Sequence, residues 1–112
     1  MTAKRAKPLT AGWVRRRFTR PGKLVPPDTA HLKSRAMRLR SGGAVDWHTT
    51  GLREELLLAV DGRVEVELLV APDKIRRVTL EAGQSLFLPS QLTHRVINRS
   101  TRIAGYVYVT GG

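Results

Sequence analysis

Apolar and polar residues alternate with a period of two over much of this chain. Val64, Val66 and Leu68 alternate with Arg63, Glu65 and Glu67, the pattern of a strand with one buried face. The same reading predicts strands over Ser34–Arg40, Glu55–Val60, Arg63–Val70, Ile75–Leu80, Ser85–Leu88, His94–Ile97 and Ile103–Val109. Turn residues punctuate them at Ser41-Gly42-Gly43, Ala71-Pro72-Asp73-Lys74, Gly83, Pro89-Ser90 and Asn98-Arg99-Ser100. Asp61-Gly62 is the strongest two-residue hairpin signal and predicts that Glu55–Val60 pairs with Arg63–Val70. No segment carries a helical period of useful length. Short strands with frequent turns predict an all-β domain, an antiparallel sandwich or barrel.

Strand parity raises a chemical question. Glu55 shares a face with Leu57 and Ala59, while Glu54 falls opposite with Leu56, Leu58 and Val60. His94 likewise shares a face with Val96. A carboxylate or imidazole in apolar company must be hydrogen-bonded, paired or metal-bound, because an unpaired one costs several kcal/mol. Either these groups sit at strand mouths and reach water, or they converge on a metal. The apolar residues on both faces of Glu55–Val60 also predict a homodimer. A barrel of this size has one interior, so the second apolar face requires a cover.

Composition narrows the chemistry. The 112 residues include no cysteine, so any metal is held by nitrogen and oxygen. No apolar run approaches the ~20 residues that span a membrane. The net charge of +11 is unevenly placed: residues 1–40 hold 12 Lys and Arg against the single acid Asp28, and the remainder balances. The chain therefore divides into a basic N-terminal arm, residues 1–33, and a domain over residues 34–112. The arm reads as a solvated tail or a strand exchanged with a partner subunit. Its charge could also contact a nucleic-acid backbone, with Trp13 and Phe18 stacking on bases. No helix-turn-helix, zinc-finger or RNA-binding signature accompanies it. Arg15-Arg16-Arg17-Phe18 resembles a twin-arginine export signal, but Thr19-Arg20-Pro21-Gly22-Lys23 follows where an apolar segment belongs. The expected location is cytoplasmic.

Two spaced patterns bear on the question of Glu55 and His94. Gly42-x5-His48-x-Thr50-x4-Glu55-x6-Gly62 resembles the first signature of the cupin family, and Gly83-x5-Pro89-x-Gln91-x2-His94-x3-Asn98 resembles the second. Every spacing fits. Thr50 replaces a histidine of the first signature, and Gln91 replaces a glycine of the second. The resemblance covers about Ala36 to Val109 and implies a double-stranded β-helix, or jelly-roll, barrel.

It also implies one divalent metal ion, Fe, Zn, Ni, Mn or Co, held by His48, Glu55 and His94. Glu55 and not Glu54 lies seven residues before Gly62, and the usual fourth ligand is missing at Thr50. Two imidazoles and one carboxylate are the donor set of the non-haem iron facial triad. The resemblance implies dioxygenase-like or isomerase-like chemistry on a small metabolite, or a barrel that binds a ligand without chemistry. A ligand-sensing barrel whose arm contacts nucleic acid or a partner protein is the alternative. Around the ligands, Asp46 is expected to share the face of His48 and support it by a hydrogen bond. Tyr106 and Tyr108 share a face and could line a pocket, although packing is their expected role. Gln91 is expected to occupy a loop that needs no positive φ angle, and His31 to be exposed.

Overall fold

The computed structural model describes residues 20–112. Most of the basic arm, including Trp13 and Phe18, lies outside the described residues. Nine strands form among the described residues: β1 (Gly22–Lys23), β2 (Lys33–Leu39), β3 (Ala44–His48), β4 (Glu54–Asp61), β5 (Arg63–Ala71), β6 (Lys74–Glu81), β7 (Ser85–Leu88), β8 (His94–Ile97) and β9 (Ala104–Gly111). There is no helix among the described residues, and so none long and apolar enough to cross a membrane. The predicted strands are all present, with ends shifted by up to two residues. The short β1 and β3 were not anticipated.

Every strand pair is antiparallel. One sheet has the order β1-β2-β9-β4-β7 and the other β3-β8-β5-β6. From β2 onward the chain crosses between sheets at almost every connection, the winding of a jelly roll. Only β5 and β6 in that stretch form a hairpin, over Pro72 and Asp73. The facing sides supply the core. Leu57 and Ala59 of β4 meet Val64 and Val66 of β5, Leu80 of β6 and Val96 of β8, all at most 4% exposed. The alternation read from the sequence is thus the alternation of burial: along β4, Glu55, Leu57 and Ala59 are buried while Glu54, Leu56 and Val60 are exposed.

The expected hairpin at Asp61-Gly62 is not one. β4 pairs with β9 and β7 in the first sheet, whereas β5 pairs with β6 and β8 in the second. Gly62 is the corner between the sheets. Its φ is +70°, and a Cβ there would stand 3.0 Å from the carbonyl oxygen of Ile103. A glycine is required both by the left-handed backbone and by the close approach. A two-residue Asp-Gly loop satisfies local turn chemistry in either case, and the partner of each strand is decided elsewhere.

Asn98, the last residue of the second pattern, pins another corner. It is fully buried. Its side-chain amide donates to the carbonyls of Leu39 (2.9 Å) and Arg102 (2.7 Å), and its Oδ1 accepts from the Ser100 hydroxyl (2.6 Å). Its backbone exchanges hydrogen bonds with Gly42 and Gly43. One side chain thus joins the end of β2 to the turn before β9, which explains an asparagine that no metal requires.

Candidate metal centre

Three strands of two sheets bring the predicted ligands together. His48 ends β3, His94 opens β8 directly opposite it, and Glu55 lies near the start of β4 in the other sheet. One ligand atom from each side chain can be chosen so that all lie within 4.8 Å of one another. The two imidazole rings are 4.4 Å apart, centroid to centroid. His94 is fully buried, Glu55 is 5% exposed and His48 reaches the surface.

Both imidazoles are oriented by backbone. His94 Nδ1 lies 2.9 Å from the carbonyl of Leu92, and His48 Nδ1 lies 2.8 Å from the carbonyl of Asp46. A carbonyl can only accept, so Nδ1 of each ring carries the proton and Nε2 keeps its lone pair. Nε2 of His94 is buried and has no hydrogen-bond partner among the described residues. It stands 3.3 Å from Glu55 Oε1, close enough for an ion pair but without hydrogen-bond geometry. Burial pushes the His94 pKa down, yet Glu55 and the Leu92 carbonyl together outweigh it and the net direction is up. A buried lone pair beside a buried carboxylate and a second imidazole is a donor set that fits a divalent metal.

The surrounding residues differ from expectation in three places. Val45 pairs with Val96 and His48 with His94, so three residues of β3 span two of β8. This bulge reverses the parity between Val45 and His48. Asp46 is consequently exposed, and its carboxylate accepts from the backbone amide of Trp47 (2.7 Å). The support for His48 comes from the Asp46 carbonyl and not from its side chain.

Gln91 has φ +62°, so the left-handed conformation is kept without the glycine. Its backbone N–H donates to the carbonyl of Gly51 (2.7 Å), and this bond holds the loop in that shape. The exposed side chain is not part of the cavity lining. Tyr106 does more than pack. It is 3% exposed and lines the cavity over the centre; burial first, then the charges of Glu55 and Tyr108, push its phenol pKa up. Thr50 lines the same cavity, with its hydroxyl donated to the Arg53 carbonyl (2.7 Å). His31 is exposed, as expected, and its carbonyl accepts from Arg53.

Residues 35–110 match the family model described as a cupin domain. The chain belongs to the cupin family. No curated protein is similar to it at a significant level. Among solved structures, a cupin 2 conserved barrel domain protein from Salinispora arenicola is 23% identical. That match covers 83% of this chain and 75% of the other, with a TM-score of 0.68. A predicted oxalate decarboxylase from Thermotoga maritima is 19% identical over 70% of this chain and 64% of its own, with a TM-score of 0.63. Peruvianin-I, a cysteine peptidase from Thevetia peruviana latex, is 20% identical over 73% of this chain, with a TM-score of 0.66. This cupin spans about half of that protein, 51% of its length, and contains no cysteine. At these identities the likeness is one of fold.

Proposed function

We propose that this cupin holds one divalent metal ion through His48, Glu55 and His94 and binds a small metabolite in the cavity above it. The observation that carries the reading is the buried, unpartnered Nε2 of His94, aimed at a buried carboxylate and a second imidazole. Such a group costs on the order of 1–3 kcal/mol when left unsatisfied, and a bound cation removes that cost. Glu55 Oε1 and the Nε2 atoms of the imidazoles are the donors. Thr50 adds no strong ligand, so the set stops at three. An ion held this way supplies Lewis acidity and open coordination positions for a ligand. Fe, Zn, Ni, Mn and Co all accept this donor set.

The cavity above these residues has a volume of about 620 Å³ and is lined by His48, Thr50, Glu55, Val96 and Tyr106 among others. That volume suits a small metabolite. Dioxygenase-like and isomerase-like reactions both use a metal with open positions beside such a pocket. The protein also works as a homodimer in this reading. Leu56 and Val60, each 37% exposed, and Phe87, 55% exposed, form an apolar stripe on the outer side of β4 and β7.

Metal per chain, measured by mass spectrometry on protein purified without added metal or chelator, tests the site. His94→Ala is expected to remove nearly all metal, Glu55→Ala most of it, and Glu54→Ala none. Circular dichroism should show the barrel intact in each, because its core is built from aliphatic side chains. Undiminished metal in His94→Ala, or equal loss in the two glutamate variants, refutes the assignment.

A further inference from the structure

The cavity above the metal centre has a cationic rim. Lys33, Arg35, Arg38 and Arg53 line it, and Glu55 is the sole acid among the described lining residues. A neighbouring cavity of about 320 Å³ shares Lys33, Arg35, Arg53 and Tyr108 and adds Lys23. The sheet register places these charges relative to the centre. Thr110 pairs with Glu55 on one side and with Lys33 on the other; Tyr108 stands likewise between Leu57 and Arg35. Lys33 and Arg35 thus project from the same inner face as Glu55, two strands away, about 10 Å across the sheet.

Arg53 is occupied. Its guanidinium donates to the hydroxyl and carbonyl of Thr110, each at 3.1 Å, and to the carbonyl of His31. The side chains of Lys33 and Arg35 have no hydrogen-bond or ion-pair partner among the described residues, and residues 1–19 contain no Asp or Glu that could supply an ion pair. Among the other described cations, Arg38, Arg77, Arg95 and Arg99 have acidic partners, while Arg20, Lys23, Arg40, Arg63, Lys74, Arg76 and Arg102 have none among the described residues but are exposed. Arg35 is moreover half-buried, where an uncompensated cation is unfavourable and an incoming anion is strongly attracted.

We infer that the ligand of this cavity is a small organic acid or phosphate ester whose anionic group is received by Lys33 and Arg35. Its other end reaches toward His48, Glu55 and His94. This second half rests on the metal-binding reading, whereas the anion subsite stands on the rim residues alone. A neutral sugar or a hydrocarbon leaves both cations uncompensated and is selected against. Arg53 acts as a fixed positive wall and ties the 20–33 segment to the end of β9.

The test is isothermal titration of the zinc-loaded full chain with succinate, glycerol 3-phosphate and glucose. At least one of the two anions should bind more tightly than glucose, and its affinity should fall as sodium chloride is raised. The tighter of the two identifies carboxylate or phosphate as the preferred group. Arg35→Gln and Lys33→Gln should each weaken anion binding about tenfold, the scale of one charge-assisted hydrogen bond, without changing metal content. His94→Ala separates the two readings. Anion binding that persists there and still depends on Arg35 retains the rim subsite even if the metal assignment fails. Glucose binding as tightly as both anions overturns the inference. So does failure of both anions to bind at millimolar concentration, or unchanged anion affinity in the folded Lys33→Gln/Arg35→Gln double variant.

Discussion

Replacing Glu67 with glutamine removes the centre of the densest charge network in the barrel. Glu67 lies on the outer face of β5, between Arg77 of β6 and Arg95 of β8 in the sheet register. Its carboxylate is 1% exposed. Arg77 Nε reaches Oε2 at 2.7 Å, Arg99 Nη2 reaches the same oxygen at 3.1 Å, and Arg95 Nε bonds Oε1. The hydrogen bond from Arg77 is the largest effect on its pKa. With Arg95 and Arg99 it outweighs burial and lowers the value from 4.5 to about 2. That fall corresponds to at most ~3 kcal/mol of stability. Arg77 and Arg99 are 66% and 45% exposed, so solvent screening reduces the gain to about 1–2 kcal/mol.

Because the folded pKa lies below the unfolded one, this stability is present above about pH 4.5 and is lost as pH falls toward 2. Glu67→Gln should therefore unfold in urea about 1–2 kcal/mol more easily than wild type at pH 7, a Tm lower by roughly 5–15 °C. The gap should shrink continuously below pH 4.5. A gap of the same size at pH 7 and pH 2.5 would show that the side chain's shape, and not its ionisation, supplies the stability. A gap below about 0.3 kcal/mol at pH 7 would show the network to be worth no more than the weakest surface pairs.

Gln91→Gly should raise stability by up to about 1 kcal/mol in urea unfolding, since φ +62° strains any residue with a Cβ; a loss above 0.5 kcal/mol would contradict that. His94 has its pKa raised in the metal-free fold. Its contribution is thus fully present below about pH 6.5 and is lost as pH climbs through the raised value. Chelator-treated protein should lose stability above pH 6.5, and His94→Gln should lack that slope. Phe87→Glu should dissociate the proposed homodimer to a monomer by light scattering at micromolar concentration. A wild-type protein that is already monomeric there disproves the association.

Much of the barrel was legible in the chain because a strand writes itself as a period of two. Glu55, Leu57 and Ala59 alternate with Glu54, Leu56 and Val60 in the sequence, and they alternate in burial. This holds although leucine, alanine and glutamate favour helices when isolated. The sheet on either side of β4 overrides that preference. The candidate metal site was legible for a different reason. Strand parity left Glu55 and His94 either at strand mouths or at a metal; the resemblance to the cupin signatures named His48, Glu55 and His94, and the fold brings the three together.

What the sequence by itself determined is therefore local: which residues extend, where turns fall and which face each strand buries. The tertiary structure alone decided matters that depend on distant partners. Asp61-Gly62 has the chemistry of a hairpin, but β4 finds β7 and β9 while β5 finds β6 and β8, so the turn becomes a corner. The bulge in β3 exists only against β8, and it turns Asp46 outward. Gln91 adopts a left-handed backbone because Gly51, forty residues earlier, accepts its amide. Lys33 and Arg35 belong to a stretch read as part of the basic arm and its border. Antiparallel pairing with β9 carries them to the rim of the cavity over His48 and Glu55, since only the folded sheet places residues 33 and 55 on one face.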